Sequence, residues 1–242
     1  MNNVTHIPVT ICGAFGRMGR ACIELALITP ERIFIRGATA RLGSKERKPE
    51  HWKFEILEEP LFTGPQVLID FSHSSLALKH LDLAKKNKWS IVIGTTGHIQ
   101  ENLDAMREAA EYIPVLYAPN TSIMANLLIK LSAITARLTS SHAHILDIHH
   151  RHKKDAPSGT ALAIKKSLDT YMDPKNISVT SLRVADVIGE HTVSFFKENE
   201  RLELSHKVNN RQIFAEGALI AAEFIYAQRP GLYDMSDVLN LN

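Results

Sequence analysis

The sequence predicts an α/β chain in two parts, a parallel sheet wound by helices on both faces and then an α+β part with a mainly antiparallel sheet. Three observations predict it. Apolar, β-branched runs alternate with amphipathic stretches from Ile7 to Ala118, the pattern of strands buried on both faces beneath covering helices. A glycine-rich turn joins the first run to the first helical stretch. Beyond Val179, strand-like runs follow one another across short turns, which is how an antiparallel sheet reads.

Ile7 to Cys12 (I-P-V-T-I-C) is the first strand. It runs into G-A-F-G-R-M-G, after which Met18, Cys22, Ile23, Leu25 and Ala26 recur at helical spacing. Strand, glycine turn and helix in that order open a dinucleotide-binding unit, where backbone approaches a pyrophosphate and the helix N-terminus offers unpaired N–H groups. Gly13, Gly16 and Gly19 are spaced G-x-x-G-x-x-G, with Phe15 in the middle place of the commoner G-x-G-x-x-G. A purely structural turn would use the same glycines. Further strands are expected at Ile33 to Thr39, Val67 to Phe71, Ser90 to Gly94 and Pro114 to Ala118, with helices at Leu76 to Asn87 and Gln100 to Tyr112. Together they make a Rossmann-like, doubly wound parallel sheet.

Ligands of such sheets bind at the carboxyl ends of the strands. There the chain reads Phe71-Ser72, Gly94-Thr95-Thr96-Gly97 and Ala118-Pro119-Asn120-Thr121-Ser122, hydroxyls and amides able to line a crevice, although loops are polar without any ligand. After the second strand stands Thr39-Ala40-Arg41, with Lys45, Arg47 and Lys48 close behind. The acid that would bond the ribose of NAD is missing and Arg41 can meet a 2′-phosphate, so NADPH is expected over NADH. Lys45 to Pro60 is charged with scattered apolar residues and predicts a loop with a short irregular element.

Ile123 to Leu138 is apolar over most of its surface and predicts a well-buried helix joining two domains. His144 to Arg151 alternates as a strand, with Asp147 and His149 on one face and His150 and His152 on the other. His149, His150, Arg151, His152, Lys153 and Lys154 are consecutive. Ala156-Pro157 ends the extended path, Ser158 is an N-cap candidate, and Gly159-Thr160 begins a helix. A carboxylate at that helix start would meet its N–H groups, the Ser158 or Thr160 hydroxyl and a lysine. Zinc held by the histidines, a phosphate-backbone contact and a merely solvated loop are the alternatives; no H-E-x-x-H or cysteine partner accompanies the histidines. Histidine is the natural proton donor near neutral pH. Strands follow from Val179 to Gly189, His191 to Lys197 and Arg201 to Lys207, turning at Gly189-Glu190 and Glu198 to Glu200. A sheet with an uncovered apolar face would pair with other subunits. Gln212 to Tyr226 is helical and packs back on the first domain. Residues 1–121 and 212–242 are thus the expected dinucleotide-binding domain, and residues 122–211 the substrate-binding and oligomerisation domain.

Composition narrows the class. The 242 residues are 45% hydrophobic and 22% charged, ordinary for a globular protein. A net charge of +2 argues against a nucleic-acid partner. No apolar run has the length of a membrane span, and the N-terminus does not read as a signal peptide. A cytoplasmic protein with neither membrane nor nucleic-acid partner is expected. Cys12 and Cys22 fit reduced core residues.

G-x-x-G-R-M-G, G-T-T-G, A-P-N-T-S and H-H-R-H-K-x-D-A-P-S-G-T, extended by V-I-G-E-H-T, E-R-L-E-L-S-H-K and G-L-Y-D-M-S-D-V-L, resemble the dihydrodipicolinate reductase family over nearly the whole chain. The resemblance implies NAD(P)H-dependent reduction of 4-hydroxy-tetrahydrodipicolinate, a small dicarboxylate, in the diaminopimelate route to lysine, by a homotetramer whose C-terminal sheets pair. By motif position it implies His149 as proton donor or acceptor with Lys153 as its partner. His150, Lys153, Ser158, Gly159 and Thr160 would hold the substrate. Gly13, Ala14, Phe15, Gly16, Arg17, Met18, Arg41, Gly94, Thr95, Thr96, Ala118, Pro119, Asn120 and Thr121 would hold the cofactor. Many members carry Glu-Arg after the second strand; here Ala40 replaces the acid and Arg41 stays, and the segment that follows is shorter than usual. Domain closure would bring the basic loop to the nicotinamide. The rivals are a nucleotide-sensing regulator without turnover, which should carry a DNA-binding motif, and another two-domain oxidoreductase on a small acid. A semialdehyde dehydrogenase would need a loop cysteine, and neither Cys12 nor Cys22 is so placed.

Overall fold

The β-branched runs of the first part form one parallel sheet. Its strands are β1 (Ile7–Cys12), β2 (Ile33–Thr39), β3 (Glu55–Leu57), β4 (Val67–Asp70), β5 (Ser90–Ile93), β6 (Pro114–Tyr117) and, from the end of the chain, β11 (Gly231–Tyr233). Their spatial order is β11-β6-β5-β4-β1-β2-β3, with every neighbouring pair parallel. The winding reverses between β1 and β4, the switch point at which such a sheet opens a crevice. The computed structural model describes residues 6–41, 43 and 46–241; Lys45, counted among the basic residues after β2, lies outside them.

Successive strand residues feed two separate cores. Val67, Ile69, Val92 and Leu116 join α1 (Arg17–Ile28) and α6 (Gln212–Tyr226) in one of them. Leu68, Ile91, Ile93 and Val115 join α2 (Ala77–Asn87) and α3 (Gln100–Ala110) in the other. Each fully buried Leu or Ile contributes about 1.5–3 kcal/mol, which is why these short strands carry no polar face. Cys12 and Cys22 are free and buried in this unit, and burial pushes the Cys22 thiol up to about 12.

Two strands of this sheet were not expected. β3 lies in the charged stretch after β2, where Trp52, Phe54 and Ile56 alternate with polar residues and pack on the first core. Trp52 is 1% exposed, stacks on Phe15 with ring centroids 6.2 Å apart and donates its indole N–H to Glu24 at 2.8 Å. β11 is a three-residue strand, too short for periodicity to reveal, that extends the sheet beyond β6.

A second unit spans Ser122–Ile213, while Met1–Thr121 and Phe214–Asn242 make up the first. The second contains α4 (Ile123–Leu138), β7 (His142–His149), α5 (Gly159–Asp169), β8 (Ile177–Arg183), β9 (Glu190–Phe196) and β10 (Arg201–Lys207), with sheet order β10-β9-β7-β8. β9 runs antiparallel to β7 and β10, but β8 is parallel to β7. The sheet is therefore mixed rather than a run of hairpins. β8 and β9 do not pair across Gly189-Glu190; they flank β7, because the α5 crossover returns β8 parallel to it. β7 also stops at His149, two residues short of Arg151, where Val184 N–H bonds the His149 carbonyl at 2.9 Å and Arg151 N–H bonds that of Ala185 at 3.1 Å. Nor is α4 well buried: Met124, Leu131 and Leu138 are exposed, and Ala125, Leu128, Ser132 and Ala136 form its inner stripe.

On the sheet face that meets α4 and α5, the strands are in register. Leu204, Val193, Ile145 and Val179 form one row across it, and Leu202, Phe195, Ala143 and Ile177 the next. One step the other way the row turns polar, reading His206, His191, Asp147 and Ser181. After β11 the chain closes in a short helix, α7 (Met235–Val238), capped by Asp234. Among the described residues, no helix is long and apolar enough to cross a membrane.

Candidate functional site

The crevice of the first unit is built mainly from backbone. Gly13 leaves β1 at φ +90°, and a Cβ there would lie 2.7 Å from the Phe71 carbonyl oxygen. At Gly19 a Cβ would lie 2.1 Å from the Gly13 carbonyl oxygen, so the first turn of α1 packs on the glycine turn only without a side chain. The N-cap of α1 is Gly16, which has no side chain to cap the N–H groups of that turn. A helix start of this kind can meet an anion through its N–H groups.

Two cavities share Ser72 and His73 at this crevice. One, of about 320 Å³, is lined by Arg17, Met18, Phe71, Gly94, Thr95 and Thr96 among others. The other, of about 370 Å³, takes Gly13, Thr39, Ala40, Arg41, Lys79 and His80. An open helix start, a glycine turn and paired cavities with Arg17 and Arg41 fit a dinucleotide.

Glu58 and Glu59 also line the second cavity, which corrects the expectation that no carboxylate is available there. They come from the residues after β3, whose return beside β2 was not foreseen. Glu59 is paired with Lys79. Beneath the crevice, Asp70 is 0% exposed and lies 2.7 Å from His80 Nδ1. It accepts the Ser72 N–H at 2.8 Å and its hydroxyl at 2.5 Å, fixing that loop.

The remaining cofactor candidates are placed less uniformly. The Phe15 ring turns onto Trp52 and the core, so its backbone alone faces the turn. Thr95 is held by His98, whose Nε2 lies 2.9 Å from its hydroxyl and 3.1 Å from its carbonyl. Ala118 to Thr121 line neither cavity. Ala118 is 2% exposed, and Thr121 donates its hydroxyl to the Phe214 carbonyl at 2.6 Å.

In the second unit, the polar row at the end of the sheet centres on Asp147, which is 0% exposed. Its Oδ2 accepts from Ser158 N–H at 2.9 Å, Ser181 Oγ at 3.0 Å and Arg183 Nη2 at 3.0 Å. Its Oδ1 faces His149 Nδ1 at 2.9 Å and His191 Nε2 at 3.4 Å, contacts at ion-pair distance rather than aligned hydrogen bonds. Burial alone would raise this carboxyl; His149, His191 and Ser158 outweigh that and hold it far below the usual carboxylate range. A carboxylate oxygen and two ring nitrogens lie within 4.8 Å of one another, a spacing that a cation could use. The Arg183 guanidinium on the same carboxylate already supplies a positive charge, and the cluster reads better as a proton network.

The basic loop is pinned to this network. Arg183 Nη2 also donates to the Asp155 carbonyl at 2.6 Å, and Lys153 pairs with the Asp155 carboxylate at 2.8 Å. Ser158, expected to touch substrate, is placed as a cap: it is 2% exposed, and its Oγ lies 3.2 Å from Ala161 N and 3.1 Å from His191 Nε2. Gly159 is exposed, with open space where a Cβ would stand, and Thr160 is half-buried beside it. His150 and His152 lie past the end of β7 with ring centroids 6.4 Å apart. The His150 imidazole is pushed down, first by desolvation and then by neighbouring positive groups led by Arg211.

Asp147, Ser181, Arg183 and His191 were not among the sequence candidates. A charged residue on the inward face of an otherwise apolar strand was the available signal for Asp147. The others become visible only once strands are paired.

Comparisons with known proteins cover both units. Residues 7–121 match the family model described as dihydrodipicolinate reductase, N-terminus, and residues 124–239 the one described as its C-terminus. A 4-hydroxy-tetrahydrodipicolinate reductase of Aquifex aeolicus is 38% identical over 265 residues, covering 97% of this chain and 99% of that one. One from Magnetococcus marinus is 36% identical over 271 residues, covering 96% and 98%. In fold, the chain is similar to a dipicolinate-bound dihydrodipicolinate reductase from Paenisporosarcina sp. TG-14, with TM-score 0.82, 22% identity and coverage of 95% and 98%.

Proposed function

The chain belongs to the dihydrodipicolinate reductase family, and from that membership we propose how its two units divide the reaction. It is an NAD(P)H-dependent oxidoreductase of the lysine and diaminopimelate route, reducing 4-hydroxy-tetrahydrodipicolinate to tetrahydrodipicolinate with loss of water. The observation that carries the division is a single buried carboxylate, Asp147, which touches His149 with one oxygen and the start of α5 with the other.

Loss of the hydroxyl together with the proton on the neighbouring ring carbon, as water, leaves a carbon–carbon double bond conjugated to the imine. A nicotinamide bound in the first unit would supply a hydride to the carbon that lost the hydroxyl, and the enamine so formed needs a proton at its adjacent carbon. His149 gives that proton, assisted by Lys153. The N–H groups of α5, with Gly159, Thr160 and His150, orient the substrate carboxylates. In the first unit, Gly13 to Met18 bind the pyrophosphate through backbone, and Gly94 to Thr96 meet the nicotinamide end. Ala118 to Thr121, which line neither cavity, would meet the nicotinamide end through the backbone that leaves β6.

NADPH is the preferred cofactor, with Arg41 meeting its 2′-phosphate; Glu58 in the same cavity leaves NADH a possible ribose partner. The enzyme is a cytoplasmic homotetramer. Supporting assembly, the outer face of the second unit's sheet carries Leu146, Ile148 and the exposed Leu182 among threonines and serines, and size-exclusion chromatography with light scattering reads its state. A semialdehyde-dehydrogenase reading finds no support, since Cys12 and Cys22 are both buried.

Purified enzyme should oxidise NADPH only when the upstream aldolase product is supplied, and faster than NADH at equal concentration. Absence of oxidation with either cofactor would overturn the catalytic reading in favour of a nucleotide-sensing protein. A preference for NADH would overturn the Arg41 assignment alone.

A further inference from the structure

We propose that Asp147 is the positioning residue of the proton donor, holding the His149 ring by Nδ1 so that Nε2 is the nitrogen that delivers the proton. The inference rests on the reading of His149 as donor and adds to it a tautomer, an orientation and a charge partner.

The geometry assigns different duties to the two carboxylate oxygens. Three donors, Ser158 N–H, Ser181 Oγ and Arg183 Nη2, lie within 3.0 Å of Oδ2 and fix the carboxylate plane. Oδ1 is left to the imidazoles, at 2.9 Å from His149 Nδ1 and 3.4 Å from His191 Nε2. Strand alternation brings the two side chains to one side, because residues 147 and 149 project from the same face of β7. A carboxylate at Nδ1 favours the neutral tautomer protonated there. It also stabilises the imidazolium that forms when Nε2 takes up a proton. Nε2 lies on the side of Gly189, where a Cβ would approach it to 3.0 Å, so a glycine is what leaves room beside the delivering nitrogen.

His191 extends the arrangement. Its ring meets that of His149 edge-on, with centroids 5.3 Å apart, and its Nε2 reaches Ser158 Oγ at 3.1 Å. The proton donor and the cap of the substrate-facing helix therefore share one carboxylate. A change at Asp147 should disturb proton delivery before it disturbs cofactor binding.

Asp147→Asn keeps the side-chain shape and removes the charge. Its kcat should fall by about 10²–10⁴-fold, the range of a lost general acid, with NADPH affinity unchanged. The other titratable and charged groups around the pair are His191, His206, Arg183, His150, Lys153 and Asp155, all retained in the variant.

Nitrogen-15 spectra of histidine-labelled wild-type enzyme supply a readout that does not depend on the variant folding. The neutral His149 ring should be protonated at Nδ1; protonation at Nε2 would overturn the proposal. Unchanged turnover in Asp147→Asn, alongside an inactive His149→Gln, would overturn the positioning role and leave the donor intact. Full turnover in His149→Gln would remove the donor reading and this proposal with it.

Discussion

The helix starts proposed to bind ligands in the two units, α1 and α5, are built by opposite means. α1 begins at Gly16 with no side-chain cap and an entry turn made of glycines. α5 begins at Ser158, capped by its own hydroxyl, with its N–H and Oγ tied to Asp147 and His191. A site made of backbone depends on what is absent, because any added side chain fills the space meant for the ligand or the neighbouring turn. A site made of charged side chains depends on partners drawn from β7, β8, β9 and the loop between β7 and α5. The first fails by crowding and the second by losing charge.

Crowding gives the largest expected effect. Gly19→Ala puts a methyl 2.1 Å from the Gly13 carbonyl oxygen, so the turn must open, at about 1–3 kcal/mol of stability. NADPH Kd should rise about tenfold or more, read by fluorescence titration, while the histidine network keeps its spectra. Normal NADPH affinity would mean that the α1 start is not the pyrophosphate site.

At α5 the corresponding change is milder. Ser158→Ala removes the cap and the His191 contact, and should lower stability by about 0.5–2 kcal/mol, read by denaturant unfolding. Activity should fall with NADPH affinity intact, the reverse of the α1 variant. Loss of NADPH binding here would erase the contrast between the two starts.

The smallest effect concerns pH. Burial and then the charge of His191 push the His206 imidazole below its ordinary value. As pH falls through the ordinary imidazole range, the unfolded chain takes up that proton first, so stability declines towards acid. His206→Gln should make the acid-side slope of Tm against pH shallower, and an unchanged slope would assign the dependence to other histidines.

The same contrast explains what could be read from sequence. The glycine turn, the main strands of the parallel sheet and α6 were legible because close backbone approach and burial on both faces constrain residue type locally. β3 was not, since Trp52, Phe54 and Ile56 alternate within a run of charges that masks them. Ser158 was legible as a cap, because capping is local. Its second duty was hidden, as were Arg183 and His191, which reach Asp147 only through the pairing of β8 and β9 with β7. That pairing was misjudged, since a short turn at Gly189-Glu190 reads as a hairpin whether or not its strands are neighbours.

The most direct test of the division between the units is to measure kcat and NADPH Kd for His149→Gln in one preparation. The expected result is a kcat lower by about 10²–10⁴-fold with wild-type Kd, because in the proposed division the ring gives a proton and does not hold the cofactor. Wild-type turnover, or NADPH affinity lost in step with activity, would contradict it.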